Sequence, residues 1–175
     1  MMRRRSFRRD RSGAAAVEMA LVTPLLLVIL FGSVEVGNYF YNEHLLTKAV
    51  RDGARYAARQ NFSYYESGGN CASPSDATLI ANVKTLIMTG LLSGGANRLP
   101  TWNTSTITIS ATCQPSTGGQ TMTGIYRGRT GGIAGAPIVT VTASVPYRPI
   151  ARTLFGFSGV GINLNATQRA AVTGL

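Results

Sequence analysis

Acidic residues are scarce in this chain: seven Asp and Glu stand against seventeen Lys and Arg in 175 residues. Histidine occurs once, at His44, and beyond residue 60 the carboxylates are Glu66 and Asp76 alone. A general acid/base pair or a Ser-His-Asp set has almost no material to draw on, so no catalytic residue is assigned and no enzyme is expected. Cysteine is equally sparse. Cys71, Cys113 and the distant His44 do not supply the ligand set of a usual zinc centre, so no metal site is assigned. The glycine-rich run Gly128-Arg129-Thr130-Gly131-Gly132-Ile133-Ala134-Gly135 lacks the P-loop lysine and follows no βαβ pattern. It is expected to be a flexible hairpin loop, and no cofactor or small-molecule substrate is indicated.

What is abundant is positive charge, with a net of +10, and its distribution decides its meaning. Residues 1 to 12 hold six arginines (Arg3, Arg4, Arg5, Arg8, Arg9 and Arg11) against Asp10. In residues 13 to 60, Lys48, Arg51, Arg55 and Arg59 balance Glu18, Glu35, Glu43 and Asp52. The rest of the excess is seven scattered Lys and Arg against Glu66 and Asp76. Half of the basic surplus therefore lies directly before an apolar run, where Lys and Arg hold a span's flank on the cytoplasmic side. A nucleic-acid surface would need basic residues clustered on a fold with a groove-reading element, and none is visible.

The apolar run is Met19 to Val34, sixteen residues without a charge, bounded by Glu18 and Glu35. Alone it is slightly short of the roughly 20 residues a bilayer core requires. Extended through Ala14–Val17 and Val36–Tyr41 it becomes about 42 Å of helix at ~1.5 Å per residue. Tyr39, Phe40 and Tyr41 then fall where an interfacial aromatic belt belongs, opposite the arginines. Pro24 removes one helix hydrogen bond, which membrane helices tolerate. A cleaved secretory signal is the competing interpretation. Leu30-Phe31-Gly32-Ser33-Val34 fits its cleavage pattern poorly, and amphipathic helix follows without a break.

Glu18 lies near the start of the apolar helix, where a charged group usually has a partner. A cut after Gly13 would leave the α-amine of Ala14 four residues before Glu18, on the same helix face. The pair could form within one chain, or Glu18 could neutralise the amine of a neighbouring subunit and so set register. Alternatively Glu18 simply occupies the headgroup layer beside Arg11. The carboxylate alone does not choose among these.

The combination of a basic leader, Gly13, four small residues, Glu18 and a long apolar helix resembles the class III signal of type IV pilins and pseudopilins. The stretch RSGAAAVEMALVTPLLLVILFGSVEVGNYFYNEHLLTKAVRDGARYAAR, residues 11 to 59, most resembles TadE-like proteins, the minor pseudopilins of the tight-adherence (Flp) pilus system. The GAAAVE start, Pro24 inside the span and the VRDGARYAA continuation carry the likeness. The resemblance implies that Gly13 and Ala14 flank a cleavage site for a membrane prepilin peptidase, and that Glu18 is the fifth mature residue. It also implies other pilins, pseudopilins and tight-adherence assembly proteins as partners, with Glu18 setting register between subunits. Residues 60 to 175 lie outside the likeness. A single-pass anchor presenting a periplasmic binding module, with no incorporation into a pilus, is the alternative function.

From Asn42 to about Arg59 the pattern stays helical. Leu46, Val50, Ala54 and Ala57 mark one side, and His44, Lys48, Arg51, Arg55 and Arg59 another. Lys48–Asp52 and Asp52–Arg55 offer local ion pairs worth only a few tenths of a kcal/mol. Gly53, Ala54, Ala57 and Ala58 keep one surface thin, so a helix or sheet can approach closely. A solvated basic stripe opposite a packed face is the plain interpretation, and packing between subunits through the small face is the sharper one.

In the exported part, Gly68-Gly69-Asn70-Cys71 breaks the first helix. Ser73 is placed as the cap of a second, with Pro74 at its first position and Asp76 in its first turn. Leu79, Ile80, Val83, Leu86, Ile87 and Leu91 form an apolar face, ended by Gly94-Gly95. Thr106 to Cys113 alternates, with Ile107, Ile109, Ala111 and Cys113 on one face. Ile138 to Val145 alternates likewise, with Val139, Val141, Ala143 and Val145 inward. Gly161 to Val172 offers a third strand grouping Ile162, Leu164 and Ala166, and Gln120 to Tyr126 a fourth. On the oxidising side of a bacterial membrane, Cys71 and Cys113 are expected to form a disulfide, with two free buried thiols as the alternative. The closed loop would contribute roughly 4 kcal/mol.

The expected fold is α+β and pilin-like: a long transmembrane helix continuing into the periplasm, then a helix packed on an antiparallel sheet of three to four strands. Residues 1–13 are assigned to a basic leader that is cleaved, 14–41 to the transmembrane helix, 42–60 to its amphipathic periplasmic extension and 61–175 to a periplasmic domain. The expected location is the bacterial inner membrane, in contact with lipid, with the N-terminus cytoplasmic and the C-terminus periplasmic. A pilus or the cell surface is the destination after assembly.

Overall fold

The computed structural model describes residues 12–68, 70–114, 122–127, 135–150, 152 and 161–174. One helix dominates it. Helix α1 runs from Ser12 to Ala58, 47 residues without a break, or about 70 Å at ~1.5 Å per residue. Pro24 lies inside it and leaves the carbonyl four residues earlier without its helical donor. Thr23 Oγ1 donates to the Met19 carbonyl at 2.6 Å, and Ser33 Oγ donates to the Ile29 and Leu30 carbonyls, both at 2.9 Å. These hydroxyls are thus satisfied within the helix itself, as a low-dielectric surrounding demands.

A short antiparallel pair follows α1, β1 (Glu66–Ser67) and β2 (Asn70–Cys71). Helix α2 (Ala77–Thr89) comes next, and then β3 (Ile107–Gln114), β4 (Ala136–Pro146) and β5 (Asn163–Ala171). The last three form one antiparallel sheet in the order β3-β4-β5, so an α+β fold is what the chain adopts. Strand β4 alternates strictly, with Val139, Val141, Ala143 and Val145 buried. Leu164 and Ala166 of β5 and Ile107 of β3 join them on the inner face. That face packs on the outer half of α1, where Leu46, Ala49, Val50, Ala54 and Ala57 are buried in the same core. The sheet's main cover is therefore α1, and α2 lies against α1 beside it.

Gly53 makes that second contact possible. A Cβ at this position would fall 2.3 Å from Cγ1 of Ile87, which is fully buried on α2. The thin face of α1 is thus filled from within the chain, by α2 and the sheet. Packing between subunits through this face is corrected to an intrachain contact. The basic residues His44, Lys48, Arg51, Arg55 and Arg59 are all exposed on the opposite side. Asp52 does not close the local pairs expected of it. Its carboxylate faces Arg98 at 3.6 Å, across from the loop after α2.

The cap of α2 also differs from expectation. Asp76 is the N-cap, its Oδ1 accepting the Leu79 N–H at 2.7 Å, as capping geometry requires. Ser73, placed there by sequence, instead accepts the Ala111 N–H at 3.0 Å on the free edge of β3. The disulfide between Cys71 and Cys113 joins the same two segments, with a Cα–Cα distance of 6.0 Å. Helix α2 ends earlier than Gly94-Gly95: Gly90, at φ 84°, closes it with its N–H on the Leu86 carbonyl at 2.8 Å. Only a residue free to enter the left-handed region does this without strain. Leu91 lies beyond that cap and is exposed rather than on the packed face, and Ile162 precedes β5 and is exposed as well.

No strand passes through Tyr126. Gly124–Tyr126 is a 3₁₀ turn, while residues 120 and 121 of the expected fourth strand lie outside the described residues. The turn is fixed to the residue after β5 and to the segment after α1: Tyr126 donates to the Val172 carbonyl at 2.7 Å and stacks edge-on with Phe62. The expected glycine-rich loop at 128–134 also falls outside the described residues. The last turn of α1 presents carbonyls without helical donors. Tyr65 Oη bonds that of Ala57 at 2.5 Å, and the Thr173 N–H bonds that of Ala58 at 2.7 Å.

Candidate functional site

The inner half of α1 is apolar and uncovered. Val17, Met19, Leu21, Val22, every residue from Leu25 to Phe31, and Val34 are all exposed, although each is large and hydrophobic. A water-soluble protein seldom exposes a continuous apolar surface of this extent. The helix is long and apolar enough to cross a membrane, and its most apolar stretch is not buried against the rest of the chain. Residues 14 to 34 span about 32 Å at ~1.5 Å per residue, close to the ~30 Å of a bilayer's hydrocarbon core. The Gly13–Ala14 bond lies in the first turn of α1. Gly13, Ala14 and Glu18 are all exposed on the uncovered surface.

At the other end of that stretch the domain takes hold of the helix. Glu35, Asn38, Asn42, Leu46 and Ala49 follow one another at spacings of three and four along one side of α1, polar at the start and buried core beyond. Tyr147, just past β4, meets the polar part. Its Oη donates to Glu35 Oε1 at 2.5 Å and, more weakly, to the Glu35 carbonyl at 3.3 Å. Asn38 Nδ2 donates to the same Oη at 2.9 Å. Asn42 Nδ2 in turn donates to the Asn38 carbonyl at 2.7 Å. Tyr147 also stacks edge-on against Tyr39, ring centres 5.2 Å apart. Burial, then the hydrogen bond to the Glu35 carboxylate, pushes the Tyr147 phenol up to about 12. The phenol is therefore a proton donor at neutral pH, and the carboxylate is its acceptor.

A groove of about 410 Å³ opens beside this node, lined by Asn38, Asn42, Leu99, Pro100, Tyr147 and Ile150 among others. Thr101 Oγ1 donates to the Pro146 carbonyl at 2.8 Å and ties one wall to the end of β4. Among the described residues no group of three or more His, Cys, Asp or Glu gathers. His44 is exposed beside Phe40, Glu43 and Thr47 in a shallow depression.

The Tyr147 node escaped sequence reasoning because its partners are 112 positions apart. The available signal was on the helix side. Glu35, Asn38 and Asn42 continue the packed stripe of Leu46 towards the membrane, and polar side chains on a packed stripe call for a polar partner.

A single apolar helix, bare over one half and built into an α+β core over the other, has the form of a single-pass membrane anchor. Residues 13–55 match the model of a family described as TadE-like protein. The match begins at Gly13, ends at Arg55 within α1 and covers less than a third of the chain. No curated protein and no solved structure matches this chain.

Proposed function

We propose that this chain is a minor pseudopilin acting in the assembly of a type IVb tight-adherence (Flp) pilus. One observation carries the proposal: the family match, residues 13–55, runs along the helix whose apolar surface from Val17 to Val34 is uncovered. A prepilin peptidase cuts the Gly13–Ala14 bond on the cytoplasmic face and releases the arginine-rich leader. The arginines before the span hold that end inside. The domain after α1 lies in the periplasm, where the Cys71–Cys113 disulfide persists.

Within the bilayer α1 packs against the helices of neighbouring pilins and pseudopilins. Glu18 pairs there with an Ala14 α-amine, because a carboxylate in hydrocarbon is costly until neutralised. A buried pair of this kind admits few packing registers, which is its value in assembly. The domain meets assembly partners through its exposed surfaces, and residues 42–60 hold it rigidly to the anchor.

The test is a deletion in the host, complemented with the wild-type chain or with Glu18→Ala. Deletion is expected to abolish piliation and wild type to restore it. Glu18→Ala is expected to insert normally but to leave cells poorly piliated. Normal piliation of the deletion strain would remove the pseudopilin function and leave the anchored binding module in its place. Normal piliation with Glu18→Ala would remove the register role alone.

A further inference from the structure

We infer that Tyr147 to Ile150, beyond β4, together with Arg152, form an interfacial membrane contact, with Ile150 at the glycerol end of the lipid acyl chains and Arg148 and Arg152 at the phosphates of the outer leaflet. The inference rests on α1 spanning a bilayer, and not on the pilus role.

The depth of this segment follows from its grip on α1. The uncharged run of α1 ends at Val34, and the uncovered apolar surface fills the ~30 Å hydrocarbon core up to that point. Glu35 to Tyr39, about 7.5 Å at ~1.5 Å per residue, then lie in the outer headgroup layer, since the two layers together bring the whole bilayer to ~40–45 Å. Tyr147 bonds Glu35 and Asn38 and stacks on Tyr39, so Tyr147 and the residues that follow it to Ile150 are held at that layer. Ile150, three residues on, lines the same groove as Asn38.

The chemistry of the segment fits such a position. Ile150 is 38% exposed although apolar, and Arg148 and Arg152 are exposed beside it. Tyr147, Tyr39, Phe40 and Tyr41 complete an aromatic group at one level, of the kind that collects at membrane–water interfaces. Arginine at that level keeps its guanidinium on lipid phosphate while its stem stays apolar. Neither arginine has a carboxylate partner among the described ion pairs. A glycerophospholipid surface satisfies the apolar and the cationic side chains together.

The test uses the full chain with Ile150→Trp, reconstituted in phosphatidylethanolamine–phosphatidylglycerol vesicles. Trp102, the one native tryptophan, is buried, and the wild-type chain supplies its background. The added emission should be blue-shifted and largely lost in lipids brominated near the glycerol end of the acyl chain. It should be little affected by aqueous iodide. Arg148→Glu with Arg152→Glu should weaken the lipid quenching, and unchanged quenching would overturn the arginine–phosphate contact. Emission quenched by iodide and not by brominated lipid would overturn the inference. So would protection from both, which would mean that protein covers the segment. Resistance of the chain to carbonate extraction is scored in parallel. A chain that extracts fails the anchor reading itself, whereas one that resists but shows no lipid quenching fails this inference alone.

Discussion

The phenol of Tyr147 donates to the carboxylate of Glu35 across 2.5 Å, joining residues 112 positions apart where the apolar run of α1 ends. This bond adds to the domain's hold on the anchor helix. The outer half of α1 already lies in the core with β4 and β5, and the Tyr147 node extends the attachment down to the last turn before the bare helix.

Tyr147→Phe should keep the stack on Tyr39 and lose the hydrogen bonds to Glu35 and Asn38. A hydrogen bond to a charged acceptor contributes about 1.5–3 kcal/mol when buried. Partial exposure of this node puts the expected loss nearer 1 kcal/mol. Denaturation of the detergent-solubilised chain checks it, and Glu35→Gln should show a smaller loss because an amide oxygen still accepts.

Tyr65 and Tyr147 make the fold sensitive to alkali. Both phenols are pushed from 10.0 to about 12, chiefly by burial. Their folded pKa lies above the unfolded one, so the folded state holds more protons between those values. The contribution is complete below pH 10 and is lost as pH rises through about 12. Unfolding midpoints measured across that window should fall steeply. Tyr147→Phe should flatten the slope, and an unchanged slope would contradict this assignment.

Gly53→Ala tests the closeness of α1 and α2. The new Cβ would meet Ile87 at 2.3 Å, and overpacking of this kind costs about 1–3 kcal/mol. The better helix propensity of alanine returns about 1 kcal/mol, so a net loss of about 1 kcal/mol is expected. Combining Gly53→Ala with Ile87→Ala should give a smaller loss than the sum of the two, since the second change vacates the space. Strict additivity would place the two residues out of contact.

The disulfide and the Ser73 hydrogen bond act on the same strand edge. Reducing Cys71–Cys113, or replacing both with serine, should destabilise the domain by about 2–4 kcal/mol. Loss of the crosslink should also raise amide exchange along β3, first at Ala111, whose N–H is held by Ser73 across that junction. Native-state exchange with and without reductant measures this.

Where local pattern controlled the outcome, the sequence was a sound guide. The alternation of β4 and the burial of Leu46, Val50, Ala54 and Ala57 follow directly from period two and period 3.6. Ser73 and Asp76 show where that guidance stops. Both are good cap residues three positions apart, and only the tertiary bond from Ala111 to Ser73 assigns the cap to Asp76. The small residues of α1 were legible as a close-contact face, but not the identity of what fills it, because Ile87 lies on a helix placed by long-range packing. Tyr147 had no local signature at all. At the N-terminal end of α1, Gly13 and Glu18 rest on the family match and on the physics of charge in lipid, with no partner among the described residues to position them.

The central claim is that α1 is a processed pseudopilin helix rather than a permanent tether with an arginine head. Mass spectrometry of the chain extracted from membranes of cells that express the prepilin peptidase tests it most directly. A mature N-terminus at Ala14 is expected, absent from cells lacking the peptidase. An intact start at Met1 in both would contradict it.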